Sequence, residues 1–326
     1  MIRIHKEINK RLETTEIDED QNDFLIEKGS WLSFKGITKE KMELVANKTG
    51  IPQHLLISAF DEEETARIDN ESGSVLIVID VPCIAKAGEN EEEGTYETEP
   101  FIIAYNNDYF VTICQGDDKI LNDLFAKDIV IEPQKHLRLA LHLIYQMSKE
   151  FIYYLRLIDS HTKDIEKRLH SSMKNKELFE LMAINKSLVY FSTALHADRK
   201  VLNRLLNSPM YKKFDDDIDL MEDTAVELDQ ALEMCQIYTG LLSGMMDAFP
   251  SIINNNLNIV MKTLAVITIV ISIPTLVASF YGMNFTDIPL SKHQYGFWII
   301  IAIALLLAIC GGIILIVLTS NRRSKK

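Results

Sequence analysis

Two stretches near the C-terminus, residues 263–286 and 294–320, contain no charged side chain. Each exceeds the ~20 residues an α-helix needs to cross a hydrocarbon core about 30 Å thick. The pattern predicts two membrane spans, 259–281 and 296–319, joined by an outer loop, 282–295, too short to fold as a domain. An apolar hairpin buried in a soluble protein is the competing reading, and it needs a body large enough to cover both helices.

Upstream, the pattern changes twice. Residues 1–132 read as an α/β domain. The runs 75–81, 101–105 and 109–113 are rich in β-branched and aromatic residues and predict strands. Residues 38–47, opened by Thr38 and closed before Gly50, predict a helix, as do residues 117–127 with apolar positions 120, 121, 124 and 125. The glutamate-rich stretch 88–99 reads as a solvated hairpin loop.

Residues 133–258 form a helical stalk. Long charged, periodic patterns cover 136–170 and 176–207, and Ser208-Pro209 breaks the second. A third pattern begins near Asp215 and continues into the first span, predicting one helix of roughly 65 residues, about 100 Å long at 1.5 Å per residue. Pro250 should kink that helix or cost it a hydrogen bond. A helix so long needs neighbours along it, so self-association is expected.

One face of the long helix is unusual. The positions Gly240, Gly244, Asp247, Ser251, Asn254, Asn258, Met261, Ala265, Thr268, Ser272, Thr275 and Ser279 recur in alternating steps of four and three. All are small or polar except Met261. A small-residue packing face between membrane helices explains Ala265, Thr268 and Ser272. It explains Asp247, Asn254 and Asn258 less well, because they continue the face beyond the bilayer. A symmetric ring of such helices would enclose a water-lined path, with a carboxylate ring at Asp247 and an apolar constriction at Met261 and Leu264 that closes by dewetting.

Charge supports this division. Acidic side chains outnumber basic ones 47 to 34, a formal net charge of -13, which argues against a nucleic-acid partner. Residues 322–326 hold Arg322, Arg323, Lys325 and Lys326 directly after the second span; by the positive-inside rule they predict cytoplasmic N- and C-termini of a multi-pass inner-membrane protein. The N-terminal MIRIHKEINK has no apolar core of a signal peptide. The four cysteines are too scattered for a disulfide framework or a Cys-ligated metal. No histidine pair, phosphate loop or nucleophile elbow points to an enzyme, and none to an organic cofactor.

Span one ends in Tyr281-Gly282-Met283-Asn284-Phe285, preceded by Pro274-Thr275-Leu276-Val277-Ala278-Ser279. At the outer end of the first of two C-terminal spans, after a long charged body, this motif resembles that of the CorA family of divalent-cation channels. The resemblance implies a funnel-shaped homopentamer carrying Mg²⁺, with Co²⁺ and Ni²⁺ as further cargo, lined by the first span. It implies an ion-recognition ring of Gly282, Met283 and Asn284, and Asp247 at the cytoplasmic mouth. It also implies closure by cytoplasmic Mg²⁺ bound between protomers, for which Asp219 and Asp223 are the stalk candidates; the acidic cluster that holds them is otherwise a solvated helix start. The outer loop departs from the family, reading Phe285-Thr286-Asp287-Ile288-Pro289-Leu290 where many members have a Met-Pro-Glu run. A zinc transporter of the same superfamily is the first alternative, and a non-conducting membrane-anchored sensor or scaffold the more distant one.

Overall fold

The computed structural model describes residues 2–8, 11–17, 25–61, 64–85, 95–116, 119–126, 131–171, 175–207, 215–283, 289 and 294–321. They divide into two compact units, residues 1–246 and 247–326.

The first unit contains a seven-stranded sheet in the order β2-β1-β3-β7-β6-β5-β4. Its strands are β1 (Ile2–Ile8), β2 (Arg11–Ile17), β3 (Trp31–Lys35), β4 (Arg67–Glu71), β5 (Ser74–Ile84), β6 (Tyr96–Tyr105) and β7 (Phe110–Cys114). Only β3 and β7 pair in parallel; every other neighbouring pair is antiparallel. The three expected strands are present as β5, β6 and β7, with β5 and β6 longer than the apolar runs that announced them. The end of the glutamate-rich stretch is corrected: Glu97 and Glu99 lie on β6 rather than in a loop, while residues 86–94 fall outside the described residues.

Side chains alternate across a strand, and here both faces are covered. On β5, Leu76 and Val78 join Leu32, Phe34, Met42, Val45 and Leu56 under α1 (Lys39–Thr49) and α2 (Gln53–Ile57). Ile77, Ile79 and Val81 join Phe151, Leu155, Leu195, Leu202 and Leu228 on the opposite face. Burial on both faces is why β5 reads as an unbroken apolar run. Helix α1 ends where expected, because Gly50 adopts φ 72° and donates its N–H to Ala46 O at 2.8 Å.

After α3 (Lys119–Phe125), three long helices follow: α4 (His136–Ser171), α5 (Asn175–Asn207) and α6 (Asp215–Tyr281). The Ser208-Pro209 break lies outside the described residues. Three side chains of α5 reach into the sheet's backbone: Ser187 Oγ accepts from Tyr96 N (2.8 Å), Asp198 Oδ1 from Asp80 N (2.9 Å), and Arg204 Nη1 donates to Ile68 O (3.0 Å). Arg138 of α4 and Arg199 of α5 bind Asp217 and Asp229 of α6. Helix α6 is one element of 67 residues, with Pro250 and Pro274 both inside it. Each proline withholds one N–H from the helical ladder, yet the helix runs through both without a break.

In the second unit the end of α6 packs on α7 (Gly296–Asn321).

Candidate ion pathway

Every member of the small and polar stripe is exposed in the single chain, from Asp247, Ser251, Asn254 and Asn258 through Ala265, Thr268, Ser272, Thr275 and Ser279. Met261 and Leu264 are 62% and 57% exposed. Gly240 and Gly244, in the first unit, are exposed as well.

The stripe's direction follows from how α6 meets α7. A Cβ built on Gly311 would lie 3.1 Å from Ile273 Cδ1, and one on Gly312 3.1 Å from Val270 Cγ2. Ala304, Ala308 and Gly312, spaced four apart on α7, are buried in the same packing. Small residues at that spacing let two membrane helices approach closely. Successive helix residues turn by about 100°, so Val270 and Ile273 lie on the side of α6 opposite Thr268, Ser272 and Thr275. The polar face is therefore turned away from the one helix that α6 packs against in its own unit.

The hydroxyls on this face have a common orientation. Thr268 Oγ1 donates to Leu264 O (2.9 Å), Ser272 Oγ to Thr268 O (2.7 Å) and Thr275 Oγ1 to Ile271 O (2.9 Å). Each spends its proton on the preceding turn of its own helix. The oxygen lone pairs are left outward, as acceptors suited to a cation or its water shell.

At the end of α6, Gly282 N donates to Ala278 O (2.9 Å) and Met283 N to Phe280 O (3.3 Å), while Tyr281 Oη donates to Pro289 O (3.0 Å). The helix thus closes directly before the third motif residue. Asn284 itself, with residues 285–288 of the outer loop and the basic tail 322–326, lies outside the described residues.

The two regulatory candidates, Asp219 and Asp223, stand one turn apart on α6 and are both exposed. Their neighbour Asp217 is not part of a solvated face. It is 1% exposed, and Arg138 Nε holds it at 2.5 Å. Among the described residues no three His, Cys, Asp or Glu side chains gather in a way that could hold a metal ion. Sequence reasoning missed the Ala304-Ala308-Gly312 packing face, although its four-residue spacing was available. It also missed the Arg138–Asp217 pair, which joins residues 79 apart and has no local signature.

Both α6 and α7 are long and apolar enough to cross a membrane, and no residue in the most apolar stretch of α6 is fully buried within the chain. A soluble core hairpin would be covered by its own body, so that reading is set aside. An α/β body followed by long helices, two of them apolar enough to cross a membrane, defines a class of proteins by architecture.

The comparisons place the chain within that class. Residues 27–323 match the family described as CorA-like Mg²⁺ transporter protein, and the chain belongs to that family, whose members are transporters rather than enzymes. A cobalt/magnesium transport protein CorA from Methanocaldococcus jannaschii is 25% identical over 278 residues, covering 84% of this chain and 85% of the relative. One from Thermotoga maritima is 22% identical over 302 residues, covering 91% and 83%. The complete structure of the CorA magnesium transporter from Methanocaldococcus jannaschii superposes with a TM-score of 0.72 over 96% of each chain, at 22% identity. The whole architecture is shared: sheet domain, long helix and C-terminal apolar helix.

Proposed function

We propose that this chain is the subunit of a homopentameric channel that carries Mg²⁺, with Co²⁺ as further cargo, into the cell along the polar stripe of α6. The observation that carries the reading is the stripe's placement: small, acceptor-rich and opposite the α7 contact. Family membership and the cobalt/magnesium transport named for its relatives support it. In this reading residues 1–132 and 133–258 are the cytoplasmic sheet domain and stalk. Residues 259–281 line the pore, 296–319 face lipid, and the basic residues 320–326 lie on the cytoplasmic side.

Mg²⁺ demands octahedral oxygen ligation and sheds water reluctantly. A ring of Asn284 amide oxygens and Gly282 carbonyls would recognise the hydrated ion through its waters, with Met283 beside them. Below it, Ser279, Thr275, Ser272, Thr268 and Ala265 leave room for that hydrated ion. No carboxylate lies within the span to trap it. Met261 and Leu264 form the apolar constriction, and Asn258, Asn254, Ser251 and Asp247 the inner mouth. The membrane potential drives entry with ~2.3 kcal/mol per charge per 100 mV. Asp219 and Asp223, on the stalk, bind regulatory Mg²⁺ between subunits, relieving the repulsion of neighbouring acidic bodies.

The test is Asn284→Ala. Alanine removes the acceptor without adding bulk, so the variant assembles normally and loses Mg²⁺ uptake. Uptake at the wild-type rate would overturn the recognition ring.

A further inference from the structure

The seam between β5 and α5 contains two carboxylates that the transport reading does not use. β4 pairs with β5 only as far as Arg67 opposite Val78, so β5 has no β4 neighbour at Asp80. There the Asp80 N–H is given to a side chain instead: Asp198 Oδ1 of α5 accepts it at 2.9 Å. Asp198 is 0% exposed, and its second oxygen, Oδ2, is buried with no hydrogen-bond partner.

Among the described residues, the neighbouring cations are engaged elsewhere. From the segment before β4, Glu64 acts on Asp80 by like-charge repulsion, and Glu64 is itself bound by Arg67. Arg67 also binds Asp69 at 2.6 Å. On α5, Arg199 Nε turns to Asp229 of α6 at 2.7 Å, with its Nη1 buried and unpartnered, and Arg204 serves Ile68 O. Lys186 of α5 faces Glu97 of β6 at 3.7 Å. On α4, Glu150 is bound by Lys119 at 2.7 Å. An ionised carboxylate buried beside a second one, with a single amide N–H for support, is strongly disfavoured. A divalent cation would need more oxygens than this pair offers, and no third ligand joins it among the described residues. A proton needs no cavity.

We propose that the Asp80–Asp198 seam is a proton-binding site: Asp198 carries a proton at neutral pH, and Asp80 takes a second as the medium acidifies. Burial, followed by the Asp80 charge, holds the Asp198 carboxyl well above the usual carboxylate range. Burial and then Glu64 push Asp80 up from 3.8 to about 6. The native state therefore holds more protons than the unfolded chain between pH 4 and 6. The penalty for ionised Asp80 is full above about pH 6 and fades as the pH falls, so mild acid tightens the seam. Because α5 also grips α6 through Arg199 and Asp229, the site connects acidity to the stalk. The inference stands whether or not the chain conducts Mg²⁺.

Infrared difference spectroscopy on the full chain in detergent, with carbon-13-labelled aspartate to separate its bands from those of Glu150, tests it directly. The expected result at pH 7 is a buried aspartic-acid carbonyl band that Asp198→Asn removes and Asp80→Asn retains. A second aspartic-acid band should grow in the wild type through pH 6 and be missing in Asp80→Asn. If Asp198→Asn does not fold, the labelled wild type decides alone. No protonated aspartate at pH 7, or a band that survives Asp198→Asn, overturns the proposal.

Discussion

Arg138 Nε lies 2.5 Å from Asp217 Oδ1, tying the first turns of α6 to the start of α4. Asp217 is 1% exposed and Arg138 17% in their side chains, so the pair is nearly removed from water. A buried carboxylate whose partner is deleted keeps its desolvation cost and loses its compensation. Arg138→Met should therefore destabilise the first unit by about 3 kcal/mol, in the range for broken buried pairs. Asp217→Asn, which removes the charge and keeps an acceptor, should cost less. Denaturant melts of the two variants check the order.

The contact between α6 and α7 tolerates little bulk. A Cβ at Gly312 already falls 3.1 Å from Val270 Cγ2, a distance a flexible methyl can relax by a few tenths of an ångström. Gly312→Ala should be mild, whereas Gly312→Leu should force the helices apart, lower the melting temperature in detergent and reduce transport. Equal behaviour of the two variants would show that the glycine is not a packing requirement.

His5 gives the sheet domain an acid sensitivity. The ring is buried between Trp31 and Phe125, with Thr14 Oγ1 at 2.8 Å and Ser33 Oγ at 2.9 Å. Burial, and secondarily Arg3, lower its pKa from 6.5 to about 4. The unfolded chain takes up a proton near pH 6.5 while the native state resists until about pH 4. Stability from this group is complete above pH 6.5 and is lost as the pH falls toward 4, by about 3 kcal/mol in all. The Asp80 effect runs the opposite way over the same range. Urea melts of wild type and His5→Gln between pH 7 and pH 4.5 separate them: the variant should lose the acid-side decline.

Much of this was legible in the sequence, and the reasons are local. The long helical patterns are periodic, and α4, α5 and α6 lie where that period predicts helices, while the two uncharged stretches fall on the apolar end of α6 and on α7. β5, β6 and β7 were visible because burial on both faces makes them apolar runs. β1, β2 and β4 were not: Arg3, Lys6 and Glu7 on β1, Glu13 and Glu16 on β2, and Asp69 and Glu71 on β4 are edge-side charges that mask the alternation. Asp198 was invisible for a different reason. It lies 118 residues from the amide it caps, and nothing within α5 announces that partner.

The stripe makes a graded prediction about transport. Ser272→Leu places a branched apolar side chain on the face opposite α7, where it should block ion passage while leaving assembly intact. Thr268→Ser keeps a small residue with a hydroxyl and should conduct. Met261→Ala and Leu264→Ala widen the apolar neck and should raise leak when Mg²⁺ is high on the cytoplasmic side, since a wider neck wets more easily. Cation flux through reconstituted variants, matched for protein amount, reads all four.

The most direct measurement of the central claim is cation uptake by the purified wild-type chain in liposomes under an inside-negative potential, with Mg²⁺ and Zn²⁺ offered separately. The account predicts potential-driven Mg²⁺ entry well above that of empty liposomes and above Zn²⁺ entry. Zn²⁺ entry without Mg²⁺ entry would contradict the ion assignment, and entry of neither from correctly assembled protein would contradict the channel itself.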